Sequence, residues 1–307
     1  MEVLANEENF NEVAYLRAQP DIRDAIANGY FPDGLTHFRN YGQQEGRKLR
    51  SPLELPPVRQ RKLERLTPLL RRDLPLRGDG KPNFLSMVSA GEFDIEDTEN
   101  VGVNPYEPLI TQMISEKKDG LLLDIGAGKR PTYYSNVVNY DIVDYDTTDV
   151  IGVGEILPFV TESFDGVISV AVLEHVKDPF RCAAEIARVQ KPGGKLICAV
   201  PFLQPLHAFP HHYYNMTHQG LRNLFEPYLT IERQMVTDAL HPIWGLSWIL
   251  RNWLSALPAP VRDRFATMTV ADLARETESL INQDFVKQLP EAARFELASG
   301  TLLIARK

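Results

Sequence analysis

The chain has 307 residues, 44% hydrophobic and 24% charged, enough for one large domain or a domain with an appendage around a buried core. Its formal net charge of −8 disfavours a general nucleic-acid binder. Its two cysteines, Cys182 and Cys198, both in apolar runs, exclude a disulfide framework and a cysteine-based zinc site. No basic and then apolar leader opens the sequence and no apolar run reaches membrane-span length, so a cytoplasmic protein is expected.

Residues 1–50 carry helical spacing (Val13, Leu16; Ile22, Ala25, Ile26) interrupted by Pro20, Gly29, Pro32 and Gly34, which predicts a small module of short helices. Tyr15, Pro20, Asp21, His37, Phe38, Tyr41, Gly42, Glu45, Gly46 and Arg47 form a pattern within it. On those residues the stretch resembles a helical module that precedes bacterial glycosyltransferases and other glycan-related proteins.

Residues 51–103 read as a basic, Pro- and Arg-rich connector and lead-in. Between Arg47 and Lys81 eleven Lys or Arg stand against four Asp or Glu, so this segment is +7 and the remainder −15. Such asymmetry suits peripheral contact with a membrane or anionic partner through residues 47–81; a solvated connector is the plainer alternative.

From 104 to 307 short apolar strands alternate with helical segments, the pattern of βαβ units and a parallel sheet covered on both faces. Strands are predicted at 121–125, 136–141, 148–152, 164–170, 194–201, 228–236 and 301–305. The expected architecture is α/β, a doubly wound, seven-stranded, mostly parallel sheet with the small N-terminal helical module.

The first of these strands runs into DIGAGKR, and in an open α/β sheet ligands lie beyond the carboxyl ends of strands. Gly126 and Gly128 suit a turn that a ligand approaches closely. A dinucleotide site wants a third glycine and a full helix to hold pyrophosphate. Here Pro131 takes the third glycine's place, and only twelve residues separate Gly128 from Asp141, too few for a strand plus a long helix. A cofactor without phosphates fits better.

Further motifs follow in order: LPF at Leu157–Phe159, SFD at Ser163–Asp165, VLEHV at Val172–Val176 and RVQKPGG at Arg188–Gly194. Together with DIGAG at Asp124–Gly128 they make the chain similar to class I S-adenosylmethionine-dependent methyltransferases. The resemblance implies S-adenosylmethionine as cofactor and a last strand running antiparallel. It implies that Asp124, Gly126, Ala127 and Gly128 face the methionine part, Asp141 binds the ribose, and Ile142 packs beside the adenine. Val170 and Ala171 line the cofactor and open toward the substrate. Asp144 or Asp146 stands as an alternative to Asp141. Many relatives place an acid two residues before the turn that leads to LPF; here Val153-Gly154 stands there, which leaves the adenine to backbone groups or Glu155. Lys191–Gly194 reads as a turn.

PLHAFPHHYYNMTH, residues 205–218, holds four of the seven histidines. In a subset of these enzymes from bacterial glycan and small-molecule pathways the loop reads Pro-x-His-x-x-Pro-His-Asp-Tyr-Tyr-Arg-x-Thr. Pro205, His207, Pro210, His211, Tyr213, Tyr214 and Thr217 match, while His212 replaces the acid and Asn215 the arginine. A hydroxyl acceptor must lose a proton, and a histidine suits that task. His207 and then His211 are the candidate bases, against the plainer role of pinning the loop. His175, Tyr213 and Tyr214 are assigned to the pocket. Thr217 is placed as a helix N-cap. No Asp or Glu lies in the loop, so no metal is expected.

The apolar run HPIWGLSWILRNWLSALP, residues 241–258, reads as core or a pocket lid, or as a surface that rests on a membrane. The expected activity is O-methylation of a sugar, glycan or related small molecule. A methyltransferase-like scaffold subunit without catalysis, and a protein or RNA methyltransferase, are the alternatives.

Overall fold

The structure is a computed structural model that describes residues 2–50, 55–77, 81–96, 105–207 and 210–300. It divides into two compact units, residues 1–172 with 178–199, and residues 173–177 with 200–307.

In the first unit, strands β1 (Glu2–Leu4) and β2 (Lys48–Arg50) pair antiparallel around helices Glu12–Ala18, Pro20–Ala27 and Gly34–His37. The residues that carry the N-terminal pattern pack on one another. Tyr15 and Phe38 are buried side by side, and the Tyr15 hydroxyl lies 2.8 Å from His37 Nδ1. A Cβ at Gly42 would collide with that hydroxyl. Arg47 donates to Gln19 Oε1, Asp21 Oδ2 and Glu45 Oε2 at 2.7–2.8 Å. Tyr15, His37, Phe38 and Gly42 of the pattern are thus part of the module's core, while Pro20, Asp21, Tyr41, Glu45 and Gly46 are exposed.

The main sheet is parallel throughout: β3 (Leu122–Ile125), β4 (Val137–Asp141), β5 (Val150–Ile151), β6 (Phe164–Val170) and β7 (Gln190–Ala199), in the order β5-β4-β3-β6-β7. Strands β3 and β4 are buried along their whole length, as strands covered on both faces must be. Helix Pro108–Glu116 lays Ile110, Met113 and Ile114 against Leu122, Val137 and Ile168. Helix Pro179–Val189 starts on an Asp178 cap that accepts from Arg181 N at 2.9 Å and buries Cys182, Ala183, Ile186 and Val189 on one face. Residues 191–194 bulge out between the pairs Phe164–Gln190 and Gly166–Lys195, with Gly193 at φ +73°.

The main sheet has five strands among the described residues, not seven. Residues 301–305 lie outside the described ones. Residues 228–236 form no strand: Tyr228, Met235 and Val236 are exposed, and the segment has no ladder partner among the described residues. Their apolar alternation is a local pattern, whereas a strand requires an edge to pair with.

Part of the basic connector forms helix Leu55–Leu66, and several of its charges are met within the chain. Lys62 is fully buried, with Nζ 2.7 Å from Asp149 Oδ2 and 3.6 Å over the Tyr133 ring. Asp149, also fully buried, accepts in addition from Arg59, the Tyr133 hydroxyl and Asn139 N. Burial pulls Lys62 down to about 8 while Asp149 works against that shift. Arg65 donates to the carbonyls of Asp119 and Gly120, and Lys81 to Asp144 and Tyr145 O. Removing one partner of a buried ion pair typically costs about 3–5 kcal/mol, because the other charge stays buried. Asp149→Ala is therefore expected to lower stability by about that much in urea unfolding, and an unchanged midpoint would contradict the role given to this pair.

The second unit is helical. Helix His218–Phe225 opens on Thr217, which accepts from Gly220 N at 3.0 Å as the expected N-cap. Helix Pro242–Ala256 covers most of the apolar run, and helices Ala259–Ala266, Asp284–Lys287 and Glu291–Glu296 follow. Leu257, Val261, Phe265, Phe285, Leu289 and Ala293 form the core, with Phe265 and Phe285 stacked 4.8 Å apart. No helix among the described residues is long and apolar enough to cross a membrane.

Candidate functional site

The strand order reverses at β3. The chain passes from β3 outward to β4 and β5, then returns to the other side of β3 with β6. Ligands of doubly wound sheets lie at the carboxyl ends of such a pair, and the turn Gly126–Gly128 is there. Gly126 and Gly128 have φ of +63° and +61°. A Cβ on Gly126 would collide with a methyl of Val172, two residues past the end of β6. Ala171, also past β6, holds φ +56°, a conformation that a residue with a Cβ pays for.

No helix forms between Gly128 and Val137, as the short spacing implied. Asp141 replaces it as the anchor. Its Oδ2 accepts from Gly128 N at 2.7 Å and its Oδ1 from Val143 N at 2.9 Å. Burial pushes the Asp141 carboxyl above the usual range, and these two N–H groups work against the shift. Each oxygen retains capacity for one more donor. Ile142 beside it is half-buried. Of the two alternative acids, Asp144 is exposed and paired with Lys81, and Asp146 is exposed with Lys129 at 3.8 Å.

Asp124, fully buried in β3, accepts on Oδ2 from the Tyr106 hydroxyl at 2.5 Å and Arg130 Nε at 2.7 Å. The Arg130 guanidinium lies 4.2 Å over the Tyr106 ring. Asp124 Oδ1 is buried without any donor. Desolvation raises this carboxyl's pKa, opposed by Arg130. Tyr106 and Arg130 were not singled out from sequence. The lone arginine inside a glycine turn was the available signal for one; nothing local marks Tyr106, eighteen residues before its partner.

Glu155 is buried, and its Oε1 accepts from Asp178 N at 3.4 Å, at the start of helix Pro179–Val189. It also lines a cleft of about 340 Å³ with Arg71, Ile156 and Arg181, and a larger cleft of about 790 Å³ is lined by Glu64, Thr67, Arg72, Leu76 and Phe84 among others. Neither cleft is lined by a residue of the glycine turn.

In the second unit His207, His211 and His212 of the 205–218 loop lie against His175. The Glu174 carbonyl accepts from Tyr213 N at 2.7 Å and Tyr214 N at 3.2 Å, and His175 Nδ1 donates to His211 O at 2.7 Å. The His175 and His207 ring centres are 5.4 Å apart, those of His207 and His212 4.2 Å. His207 Nδ1 donates to Pro205 O at 2.8 Å. The two residues that depart from the family pattern bond each other, His212 Nε2 to Asn215 Oδ1 at 3.0 Å. His211 stacks near Tyr213, with 5.3 Å between ring centres. Burial lowers the pKa of His175 and His212. Glu174 was read from sequence only as part of a motif; it is fully buried, and burial pushes its carboxyl up to about 8.

Residues 123–198 match the family model of the methyltransferase domain. Over 135 residues the chain is 33% identical to an uncharacterised methyltransferase of Mycolicibacterium vanbaalenii, covering 37% of this chain and 51% of that protein. The chain thus spans about half the length of the curated relative it matches. Among solved structures, a protein of Pyrococcus horikoshii is 19% identical over 42% of this chain and 82% of its own, with a TM-score of 0.33. A SAM-dependent methyltransferase of Methanosarcina mazei is 20% identical over 45% and 93%, with a TM-score of 0.32. Residues 123–198 are thus similar to a methyltransferase domain.

The two glycines of this domain separate two effects of a side chain. Gly126→Ala is expected to cost about 1–2 kcal/mol of left-handed strain and a further 1–3 kcal/mol, roughly, from the collision with Val172. Gly193, at φ +73°, has nothing within 4 Å of an added Cβ, so Gly193→Ala should cost the strain alone. Equal shifts in the two urea midpoints would remove the close approach of the two loops.

Proposed function

We propose that the chain transfers a methyl group from S-adenosylmethionine to a hydroxyl oxygen of a sugar, glycan or related small molecule. The observation that carries the cofactor half is the phosphate-free glycine turn at the switch point, flanked by two buried carboxylates. Asp124 Oδ1 is a buried acceptor with no donor, and the cofactor's amino group would supply one. Asp141 has acceptor capacity left for the ribose hydroxyls while it pins Gly128. Gly126 lets Val172 pack where a Cβ would stand; in this reading Ile142 lies beside the adenine and Val170 and Ala171 line the reaction side.

The cofactor supplies a methyl group on a sulfonium, which an in-line nucleophile displaces. The chain's part is alignment, exclusion of water and removal of the acceptor's proton. The oxygen acceptor is favoured because VLEH stands after β6 where amine methyltransferases carry an Asn-Pro-Pro-Tyr type motif. The glycan class rests on the loop pattern of residues 205–217 and on the N-terminal module. His207 and His211 of that loop are the candidates to take the proton.

Calorimetry tests the cofactor half. The protein is expected to bind S-adenosylmethionine and S-adenosylhomocysteine and not NAD. Asp141→Ala should weaken that binding by about 1.5–3 kcal/mol, the scale of a hydrogen bond to a charged group. Wild-type affinity in that variant would move the ribose contact to Asp144 or Asp146. Incubation with sugar acceptors tests the other half: bound cofactor with no methylated product from any of them would favour the scaffold reading.

A further inference from the structure

The 205–218 loop contains no carboxylate, but the fold brings one to it. Glu174 is fully buried, and neither of its carboxylate oxygens has a hydrogen-bond partner. His175 Nε2 lies 3.8 Å from its Oε1. A buried carboxylate without donors is among the most costly arrangements in a protein interior, and it demands a cation or a proton.

The imidazoles beside it are set in a definite state. His175 donates Nδ1–H to His211 O, and His207 donates Nδ1–H to Pro205 O. With Nδ1–H committed to a carbonyl, Nε2 is the atom of each ring that can offer a lone pair. This is the bonding that orients histidines as metal ligands, with the far nitrogen tied to a carbonyl. His212 differs: its Nδ1 accepts from His207 N at 3.1 Å and its Nε2 donates to Asn215, so both nitrogens are used. One ligand atom from each of Glu174, His175 and His207 lies within 4.8 Å of the others. Bonds of about 2.0–2.2 Å in a tetrahedral shell place ligand atoms about 3.4 Å apart, so small side-chain rotations close the set. The Trp248 ring, 5.2 Å from that of His207, gives the site an apolar wall.

We propose that Glu174, His175 and His207 bind one divalent transition-metal ion, with at least one coordination position left open. Two imidazoles and a carboxylate suit zinc, ferrous iron or cobalt, whereas magnesium and calcium prefer an all-oxygen shell. Three protein ligands and an open position are the pattern of a site that takes water or a substrate oxygen. An ion on His207 Nε2 also occupies the only atom through which that ring could act as a base, so the two roles for His207 exclude each other. The metal then lowers the pKa of a bound hydroxyl in the base's place.

The test is titration of the EDTA-dialysed full chain with Co(II) or Zn(II) alone, which needs neither methyl donor nor acceptor. One equivalent of Co(II) is expected to give ligand-field absorption in the visible range, and Zn(II) should displace it. Glu174→Gln and His207→Ala should each lower affinity by more than the roughly 10–100-fold that loss of an outer hydrogen-bond partner costs. His218→Asn, on a histidine of the same loop outside the set, should bind as wild type. Uptake unchanged in both Glu174→Gln and His207→Ala would overturn the site. So would a wild-type chain that takes up no stoichiometric Co(II), a result that stands even if the variants fold poorly. Loss of methyl transfer in His207→Ala with no metal uptake in wild type would return His207 to the role of base.

Discussion

The carboxyl end of the sheet depends on one carboxylate. In most doubly wound domains a helix follows the first strand, and its N-terminus fixes the glycine turn through unpaired N–H groups. Here the chain crosses from Gly128 to Val137 without a helix, and Asp141 does the fixing by accepting from Gly128 N and Val143 N. The turn is thereby tied to the end of β4, and its distance from β6 is set by Gly126 against Val172. Geometry across three strand ends thus hangs on two backbone N–H groups, one side-chain acid and one missing Cβ. A phosphate ligand would find no helix N-terminus to sit on, while a ligand rich in hydroxyl and amino donors finds acceptors.

A second constraint concerns charge. The +7 stretch between residues 47 and 81 suggests a surface for something anionic when read as a string. In the fold part of it meets the chain's own acids: Arg47 with Asp21 and Glu45, Arg59 and Lys62 with Asp149, Lys81 with Asp144. Lys62 and Asp149 are 87 residues apart in sequence and fully buried together, so no window of sequence shows their pairing. Net charge is additive along a chain, but pairing is a property of the fold, and only pairing decides whether a basic run faces a partner.

The same distinction separates what was legible from what was not. Strands β3, β4 and β6 read clearly because burial on both faces demands continuous apolar runs, and LLLDI, VVNYD and FDGVISV supply them. The glycine turn, Asp141 and the Thr217 cap follow from local rules about φ, spacing and N–H satisfaction. The segment 228–236 has the alternation of a strand without a neighbour, and sequence pattern carries no information about neighbours. Tyr106 and Arg130 escaped for a related reason: each matters only through Asp124, and a tyrosine eighteen residues away gives no periodic signal.

Two buried acids remain incompletely satisfied, and they point to what each environment is built to receive. Asp124 has one oxygen held by Tyr106 and Arg130 and one without a donor, so it can add a single hydrogen-bonding cation such as an ammonium group without losing what it has. Glu174 has neither oxygen bonded, and its neighbours are not donors but imidazoles with bare nitrogens. An ammonium group could satisfy the carboxylate but would leave the imidazole lone pairs competing for its protons in a confined space. A metal ion accepts from all three at once. The difference lies in the tautomers that Pro205 O and His211 O impose. Those two carbonyls belong to the loop whose histidines looked like a cluster in search of a carboxylate, and the carboxylate was waiting in the motif that seemed to belong to the cofactor.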